Sequence, residues 1–261
     1  MLDVRVIPVL LLRRHGLVKT VRFRDARYVG DPINVVRIFN QKEVDEILLT
    51  EVVATKEGRG PDFDLLEQIA SEAFMPVCYG GGVRSVDDAK RVLRLGMEKV
   101  SVNTAALDRP EIVRELADSL GAQCVVASVD VKRTWRGAYE VHSHAGRRVP
   151  ERDPLRWVER LVGLGAGEVL LNAVHRDGTM QGCDLALLER FRDRFDVPII
   201  ACGGVGSVTD MKTAVRAGGL SAIGVGARFI YEGPYRAVLV SYLSPKELAE
   251  VQRVGAAPAG P

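Results

Sequence analysis

The sequence predicts an α/β fold, a single (β/α)8 TIM barrel built from two duplicated (β/α)4 halves. Three observations carry this reading: eight short β-branched runs, amphipathic segments between them, and a gapless internal repeat at an offset of 122 residues. Strict alternation of strand and helix builds a parallel sheet, and eight units favour closure over an open sheet. The 261 residues suit one such barrel, which needs about 250.

The predicted strands, in order, are Arg5–Leu11, Glu46–Val53, Pro76–Gly80, Lys99–Asn103, Gln123–Asp130, Glu168–Asn172, Pro198–Cys202 and Ser221–Val225. Helical periodicity follows over Asp62–Ala73, Val86–Leu95, Pro110–Leu120, Pro154–Leu164, Asp184–Phe195 and Thr209–Ala217. Two connections break the rhythm. Arg13–Gly30 is far longer than the usual βα loop of roughly 2–6 residues, which marks a functional or mobile loop. Lys132–Pro150 is also long, and the alternation over Tyr139–His144 predicts a small hairpin. One barrel is expected over residues 1–254, with the Ala/Pro/Gly tail Gly255–Pro261 disordered.

The repeat aligns Pro76–Ala105 with Pro198–Ala227. Identities include Gly81/Gly203, Gly82/Gly204, Val83/Val205, Ser85/Ser207, Val86/Val208, Asp88/Asp210, Lys90/Lys212 and Ala105/Ala227, and the same offset pairs Glu46 with Glu168. Any strand–Gly–helix turn explains paired glycines, but not the Ser-Val-x-Asp-x-Lys that follows. Duplication of a half-barrel does.

Composition removes several classes. A net charge of +2, from 36 basic and 34 acidic residues, argues against a nucleic-acid binder. A hydrophobic fraction of 47% with 27% charged residues is that of a globular chain. No run of about 18 apolar residues exists to span a membrane, and the apolar start carries Arg5 and Pro8, unlike a signal peptide. Cys78, Cys124, Cys183 and Cys202 lack C-x-x-C spacing, so reduced thiols in a cytoplasmic protein are expected, with no metal site and no cofactor.

Gly80-Gly81-Gly82 and Gly203-Gly204 each leave a strand and enter a helix, and Asn103-Thr104 and Gly226-Ala227 end the neighbouring strands. Without Cβ atoms such turns let backbone N–H groups approach an anion at a helix N-terminus. Two phosphate sites on opposite sides of the mouth are therefore expected, fitting an elongated substrate with a phosphate at each end. Asp130 closes the fifth strand at the C-terminal face, above Ser128, Val126 and Cys124 by two-residue alternation, and is placed to act as a general acid or base. Its counterpart on the first strand, by the parity Arg5, Ile7, Val9, is Leu11, which cannot exchange a proton.

Here the residues resemble a known family over about Val4–Val251. Arg-Val-Ile-Pro (5–8), Gly30-Asp31-Pro32, Gly80-Gly81-Gly82, Val100–Ala105, Asp130–Arg133, Arg176-Asp177-Gly178-Thr179 and Ile199–Gly204 are similar to the HisF family, the cyclase subunit of imidazole glycerol phosphate synthase. The resemblance implies a barrel that takes ammonia from a glutaminase subunit and reacts it with a bisphosphorylated aminoimidazole ribonucleotide. It also implies Asp130 and Asp177 as mouth acids, Lys19 and Gly178 as substrate contacts, and Glu98 and Gln123 as contacts to the partner. The departures are Leu11 in place of the family's first aspartate, Glu51 in place of a second-strand aspartate, and His175 where the family has Asp. The Ile-Pro-Val-Leu-Leu-Leu start (7–12), with Leu-Val-Lys-Thr-Val (17–21) and Gly-Asp-Pro-Ile-Asn (30–34), resembles a HisF-like branch called WbuZ. That resemblance implies formation of acetamidino groups on surface-polysaccharide sugars, together with a glutaminase and a separate ligase-like enzyme.

At the other end of the barrel, Arg5, Glu46, Lys99 and Glu168 each open a strand and share inward parity. Charges inside a barrel end are costly unless paired, so a ring of ion pairs is expected. The resemblance makes this ring the gate for ammonia, with Thr50, Cys78, Ser101 and Ser128 lining the path above. Three functions follow: an ammonia-receiving barrel for sugar amidination, a histidine-pathway cyclase that tolerates Leu11, or a conduit and scaffold without chemistry of its own. His15 and His175 are expected at mouth loops, His175 as a candidate for altered chemistry. His142 and His144 lack an evident third ligand.

Overall fold

The computed structural model describes residues 3–143 and 149–256. The chain opens with β1 (Arg5–Arg13), β2 (Gly16–Val21), β3 (Arg24–Gly30) and α1 (Pro32–Gln41). Next come β4 (Ile47–Glu51), α2 (Phe63–Glu72), β5 (Val77–Gly80), α3 (Val86–Arg94), β6 (Lys99–Val102), α4 (Thr104–Asp108) and α5 (Ile112–Leu120). A 3-10 turn at Ala122–Cys124 leads into β7 (Val125–Arg133) and β8 (Tyr139–Val141), then α6 (Pro154–Gly163), β9 (Glu168–Ala173) and α7 (Leu185–Phe191). The chain continues through β10 (Ile199–Cys202), α8 (Val208–Gly218), β11 (Ala222–Val225), α9 (Ala227–Ile230), β12 (Tyr231–Glu232), β13 (Ala237–Val238) and α10 (Pro245–Ala256).

Eight parallel strands run in the order β1, β4, β5, β6, β7, β9, β10, β11, and β11 pairs back onto β1 from Arg5↔Ala222 to Pro8↔Val225. The sheet is a closed (β/α)8 barrel, as the alternation predicts. Closure divides each strand's residues between two cores. Ile7, Val9, Leu48, Cys78, Val126, Leu170, Ile200, Cys202 and Ala222 fill the interior, with Leu11 packed against them. The alternate residues, such as Val6, Leu10, Leu49, Val125 and Leu171, join the larger layer between sheet and helices.

The repeated Ser-Val-x-Asp has a structural reason. Ser85 and Ser207 are the N-caps of α3 and α8, accepting from the N–H groups of Asp88 and Asp210. Each aspartate reaches back to the residue before its cap, Asp88 to Arg84 N–H and Asp210 to Gly206 N–H. Two orphan donors are thus satisfied at each helix start.

The structure corrects three expectations. The long first connection is an antiparallel hairpin, β2–β3, continuous with β1 through pairs such as Leu11↔Val18. Cys124 lies in the 3-10 turn and not in the inward row beneath Asp130. The last helix extends to Ala256, past the expected boundary at 254, while 257–261 lie outside the described residues. The second long connection does form the expected short hairpin, β7–β8 (Val131↔Val141). No helix of the described residues is long and apolar enough to cross a membrane.

Trp157 on α6 is 1% exposed and anchors the outer layer. Trp157→Ala is expected to lower unfolding free energy by about 3–5 kcal/mol, read as a shift of the guanidinium midpoint.

Candidate active site

The strands' C-terminal ends surround a cavity of about 340 Å³ lined by residues that include Leu11, Thr50, Ser101, Asn103, Ser128, Asp130, Asn172 and Asp177. Asp130 ends the inward row of β7 and is 8% exposed. Each of its oxygens accepts one amide N–H, from Asn103 Nδ2 at 2.9 Å and Asn172 Nδ2 at 3.2 Å. Burial pushes its carboxyl up to about 7; the two amide bonds oppose that rise and the charge of Asp177 adds to it. Such a group holds and releases a proton near neutrality, as a general acid or base must. β1 stands four strands from β7 in either direction round the barrel, so Leu11 presents hydrocarbon across the cavity from Asp130.

Asp177 is buried beside the hairpin. Thr20 Oγ1 donates to its Oδ2 at 3.2 Å, and Lys19 Nζ lies 3.8 Å from its Oδ1. Lys19 is 4% exposed, unlike the solvated lysine usual in a loop, because β2 carries it inward over the barrel. The hairpin is also held down by Arg22, whose N–H donates to Asp177 O at 2.9 Å and whose Nε donates to His175 O at 3.2 Å. Gly178 lies under the Thr20 carbonyl.

The two glycine turns differ in access. Gly80, Gly81, Gly82, Asn103 and Thr104 form part of the cavity wall, with Arg13, Arg24 and Lys56 on the same wall. Gly81 has φ +108°, and a Cβ there would overlap the Glu51 carbonyl oxygen, so the turn requires glycine. The second turn does not open on this cavity, contrary to the symmetric expectation. Gly204 at φ +101° sits under the Gly182 carbonyl, Gly182 N–H donates to Gly204 O at 2.8 Å, and a Cβ on Gly226 would collide with Lys19 Nζ. Gly204 is therefore covered by the 176–183 loop and Gly226 by the hairpin's lysine, while Gly203 packs against the Ala173 carbonyl.

At the barrel floor the four inward charges form a closed ring of alternating sign. Arg5 pairs with both Glu46 and Glu168, and Lys99 Nζ bonds Glu46 at 3.0 Å and Glu168 at 2.9 Å. Burial alone would lower the pKa of Arg5 and of Lys99, but the two carboxylates outweigh it and raise both. Glu98 and Gln123 are exposed at the same end. Cys78 lies in the packed interior above the ring, whereas Thr50, Ser101 and Ser128 reach the mouth cavity.

The other departures from the family pattern are committed to partners of their own. His175 Nε2 contacts Asp184 Oδ2 at 2.7 Å, and Tyr139 Oη donates to Asp184 Oδ1 at 2.7 Å. Burial would raise Asp184, but hydrogen bonds from His175, Tyr139 and Leu187 N–H bring it down to about 2. This ties β8, the 174–184 loop and α7 together, and corrects the expectation that His175 faces the reaction. Glu51 accepts from Arg14 N–H at 2.8 Å and Val53 N–H at 3.0 Å. His15 is exposed, 3.8 Å from Asp62; His144 lies outside the described residues. Among the described residues no three His, Cys, Asp or Glu side chains cluster as metal ligands. Sequence reading missed Asn172 and Thr20 as partners of the two acids. The signal for Asn172 was present, because it shares the inward parity of Glu168.

The model of the histidine biosynthesis protein family matches residues 5–236. A Pseudomonas aeruginosa (strain PAO1) protein named "Putative imidazole glycerol phosphate synthase subunit hisF2" is 46% identical, covering 91% of this chain and 95% of the relative. A Vibrio vulnificus (strain YJ016) protein named in the same way as subunit hisF3 is 43% identical, covering 95% of each. The imidazole glycerol phosphate synthase subunit HisF of Streptomyces coelicolor is 42% identical over 83% of this chain and 86% of the relative. The chain belongs to the HisF family. In this HisF-family barrel the floor charge ring, the first glycine turn and Asp130 stand together with Leu11.

Asp130 generates a stability prediction. The folded chain keeps the proton up to about 7, while the unfolded chain releases it near 3.8. The native state therefore binds more protons between those values, and stability falls as pH rises through that window. Asp130→Asn removes this dependence. Urea unfolding at pH 5 and pH 8 should show the variant gaining about 2–3 kcal/mol over the unsubstituted chain between the two values.

Proposed function

We propose that this chain is an ammonia-receiving barrel subunit that works with a HisH-like glutaminase subunit and presents ammonia at its mouth to a phosphorylated small molecule. The reaction we assign is amidination of a surface-polysaccharide sugar, giving an acetamidino group, with a separate ligase-like enzyme as third component. The observation that carries this reading is the pairing of an intact charge ring at the floor with a single proton-handling acid at the mouth. A ring of net zero charge closes the axis while leaving an apolar interior, through which neutral ammonia passes more cheaply than a hydrated ion. Glu98 and Gln123, exposed beside the ring, are the proposed glutaminase contacts.

At the mouth, Asp130 is proposed to hold or accept the proton exchanged when ammonia attacks the acceptor, with Asp177 as the second acid. The N–H groups of the Gly81-Gly82 turn, with Asn103 and Thr104, are proposed to receive a phosphate, and Arg13, Arg24 and Lys56 add positive charge on that wall. A second phosphate at Gly178, Gly203, Gly204, Gly226 and Ala227 requires the hairpin to lift and Lys19 to exchange Asp177 for the ligand. Leu11 supports a reaction unlike the family cyclase, since an acid–base pair cannot form across the cavity.

The second reading is cyclase activity in histidine biosynthesis, favoured by the retained Asp130, Asp177 and Lys19 and by the Streptomyces coelicolor relative. The deciding assay supplies the purified chain with the cyclase substrate and high ammonium, which bypasses any glutaminase. Turnover at least about 100-fold below a family cyclase is expected, with Leu11→Asp raising it; full turnover by the unsubstituted chain, or growth restored to a histidine auxotroph, overturns the first reading. If Asp130→Asn leaves amidination in the assembled system unchanged, the chain is a conduit and scaffold only.

A further inference from the structure

Among the described residues the exposed large apolar side chains are Tyr28, Phe74, Trp135, Tyr235, Val238 and Leu239. Phe74 follows α2 at the floor end of the barrel. The other five stand on connections that leave the strands' C-terminal ends: Tyr28 on β3, Trp135 in the turn between β7 and β8, and the rest on or beside the β12–β13 hairpin. None of the five lines the mouth cavity, so binding a small substrate there does not account for them. They are also held in place. Tyr28 lies against Gly16, the Trp135 turn is closed by Thr134 N–H on Ala138 O at 2.8 Å, and Arg236 Nη2 ties the last hairpin to Thr179 O at 3.4 Å.

The same connections concentrate positive charge. Residues 13–30 and 132–141 carry nine Lys or Arg against two Asp or Glu, so these two segments stand at +7 and the rest of the chain at −5. Arg13 and Arg24 face the cavity, but Arg14, Arg27, Lys132, Arg133 and Arg136 are exposed outside it. Arg136 stacks on the Trp135 ring at 4.6 Å. In the barrel order β7 stands opposite β1, and β11 is next to β1. A target that meets all three hairpins therefore lies flat across the mouth and is negatively charged.

An acidic protein face and an anionic bilayer both carry that charge. A protein interface gathers its anchors into one continuous, desolvated centre. Here the anchors stand apart on separate hairpins, each beside cations. That arrangement suits a bilayer surface, where Trp and Tyr enter the headgroup layer singly and Lys and Arg are drawn to anionic lipid.

We propose that the mouth rim docks on the surface of an anionic phospholipid bilayer. Trp135 anchors one side, Tyr28 and Tyr235 anchor the other, and the exposed cations of the two long hairpins meet the lipid phosphates. No helix of the described residues is long and apolar enough to cross a membrane, so the contact is with the surface alone. The floor, with its charge ring, faces away from the lipid and stays open to a partner subunit. The assignment does not depend on the reaction proposed for the mouth.

The test mixes the full chain with vesicles of phosphatidylserine and phosphatidylcholine, or of phosphatidylcholine alone, and measures cosedimentation at low and high salt. Binding to the phosphatidylserine vesicles is expected, weakened at least about tenfold by high salt or by leaving out phosphatidylserine. The chain has two tryptophans and Trp157 is buried, so quenching of emission by brominated lipid reports Trp135. The double variant Trp135→Ser, Tyr235→Ser should partition at least about tenfold less. Phe74→Ser, at the floor, should partition like the unsubstituted chain; thermal unfolding checks that both variants fold. Absence of binding to phosphatidylserine vesicles, equal binding to phosphatidylcholine alone, emission unquenched on bound vesicles, or undiminished partitioning of the double variant would overturn the assignment. Binding of polyglutamate without binding of vesicles would also overturn it, in favour of an acidic protein partner.

Discussion

The ladder between β1 and β11 is the constraint on which everything else depends. Once the sheet closes, successive residues of each strand must face alternately into the barrel and out to the helices. That single rule places Arg5, Ile7, Val9 and Leu11 in one inward column, and Glu168, Leu170 and Asn172 in another. Floor, core and mouth are therefore successive levels of the same columns. A slip of one residue in any strand would turn its whole set to the other side, burying the outer residues and breaking both the charge ring and the mouth.

Burial of charge is handled differently at the two ends. At the floor every buried charge has two partners of opposite sign, and the ring sums to zero. At the mouth Asp130 is hydrogen-bonded only by neutral amides, with the like charge of Asp177 nearby, so desolvation dominates and its proton is held to about 7. Asp177 instead has a lysine 3.8 Å away and a threonine hydroxyl in contact. Two acids lining one cavity thus have distinct surroundings, which is the usual route to distinct roles. The absence of an acid at Leu11 leaves Asp130 to face hydrocarbon across the axis.

Much of this was legible in the sequence because it depends on periodicity. All eight barrel strands lie close to their predicted positions, and the charge ring follows from parity plus the cost of unpaired charge. The repeated Ser-Val-x-Asp was readable as duplication, and its physical content is a helix cap used twice. What sequence could not give was contact between elements far apart in the chain. The hairpin β2–β3 looked like a long loop because its strands are charged and exposed along much of β3. The covering of the second glycine turn depends on where Lys19 and the 176–183 loop come to rest, and no spacing encodes that. His175 looked reactive by its position in the motif, yet its ring is spent on Asp184. Asn172 was assigned the right parity but not a role, since its bond to Asp130 is visible only once its surroundings are known.

The charge ring also bears on how the two halves came to need each other. Glu46 and Glu168 are equivalent under the 122-residue offset, but the position equivalent to Lys99 is Ser221, and the pairing of Leu11 with Asp130 makes Cys124 the counterpart of Arg5. Both cations therefore come from the first half, which carries two positive charges and one negative, while the second half supplies a lone negative. Neither half is neutral at the floor without the other. A barrel that began as two copies has become a pair of unlike pieces, each holding the other's missing counter-charge, so separating them would expose an unbalanced floor as well as two raw sheet edges.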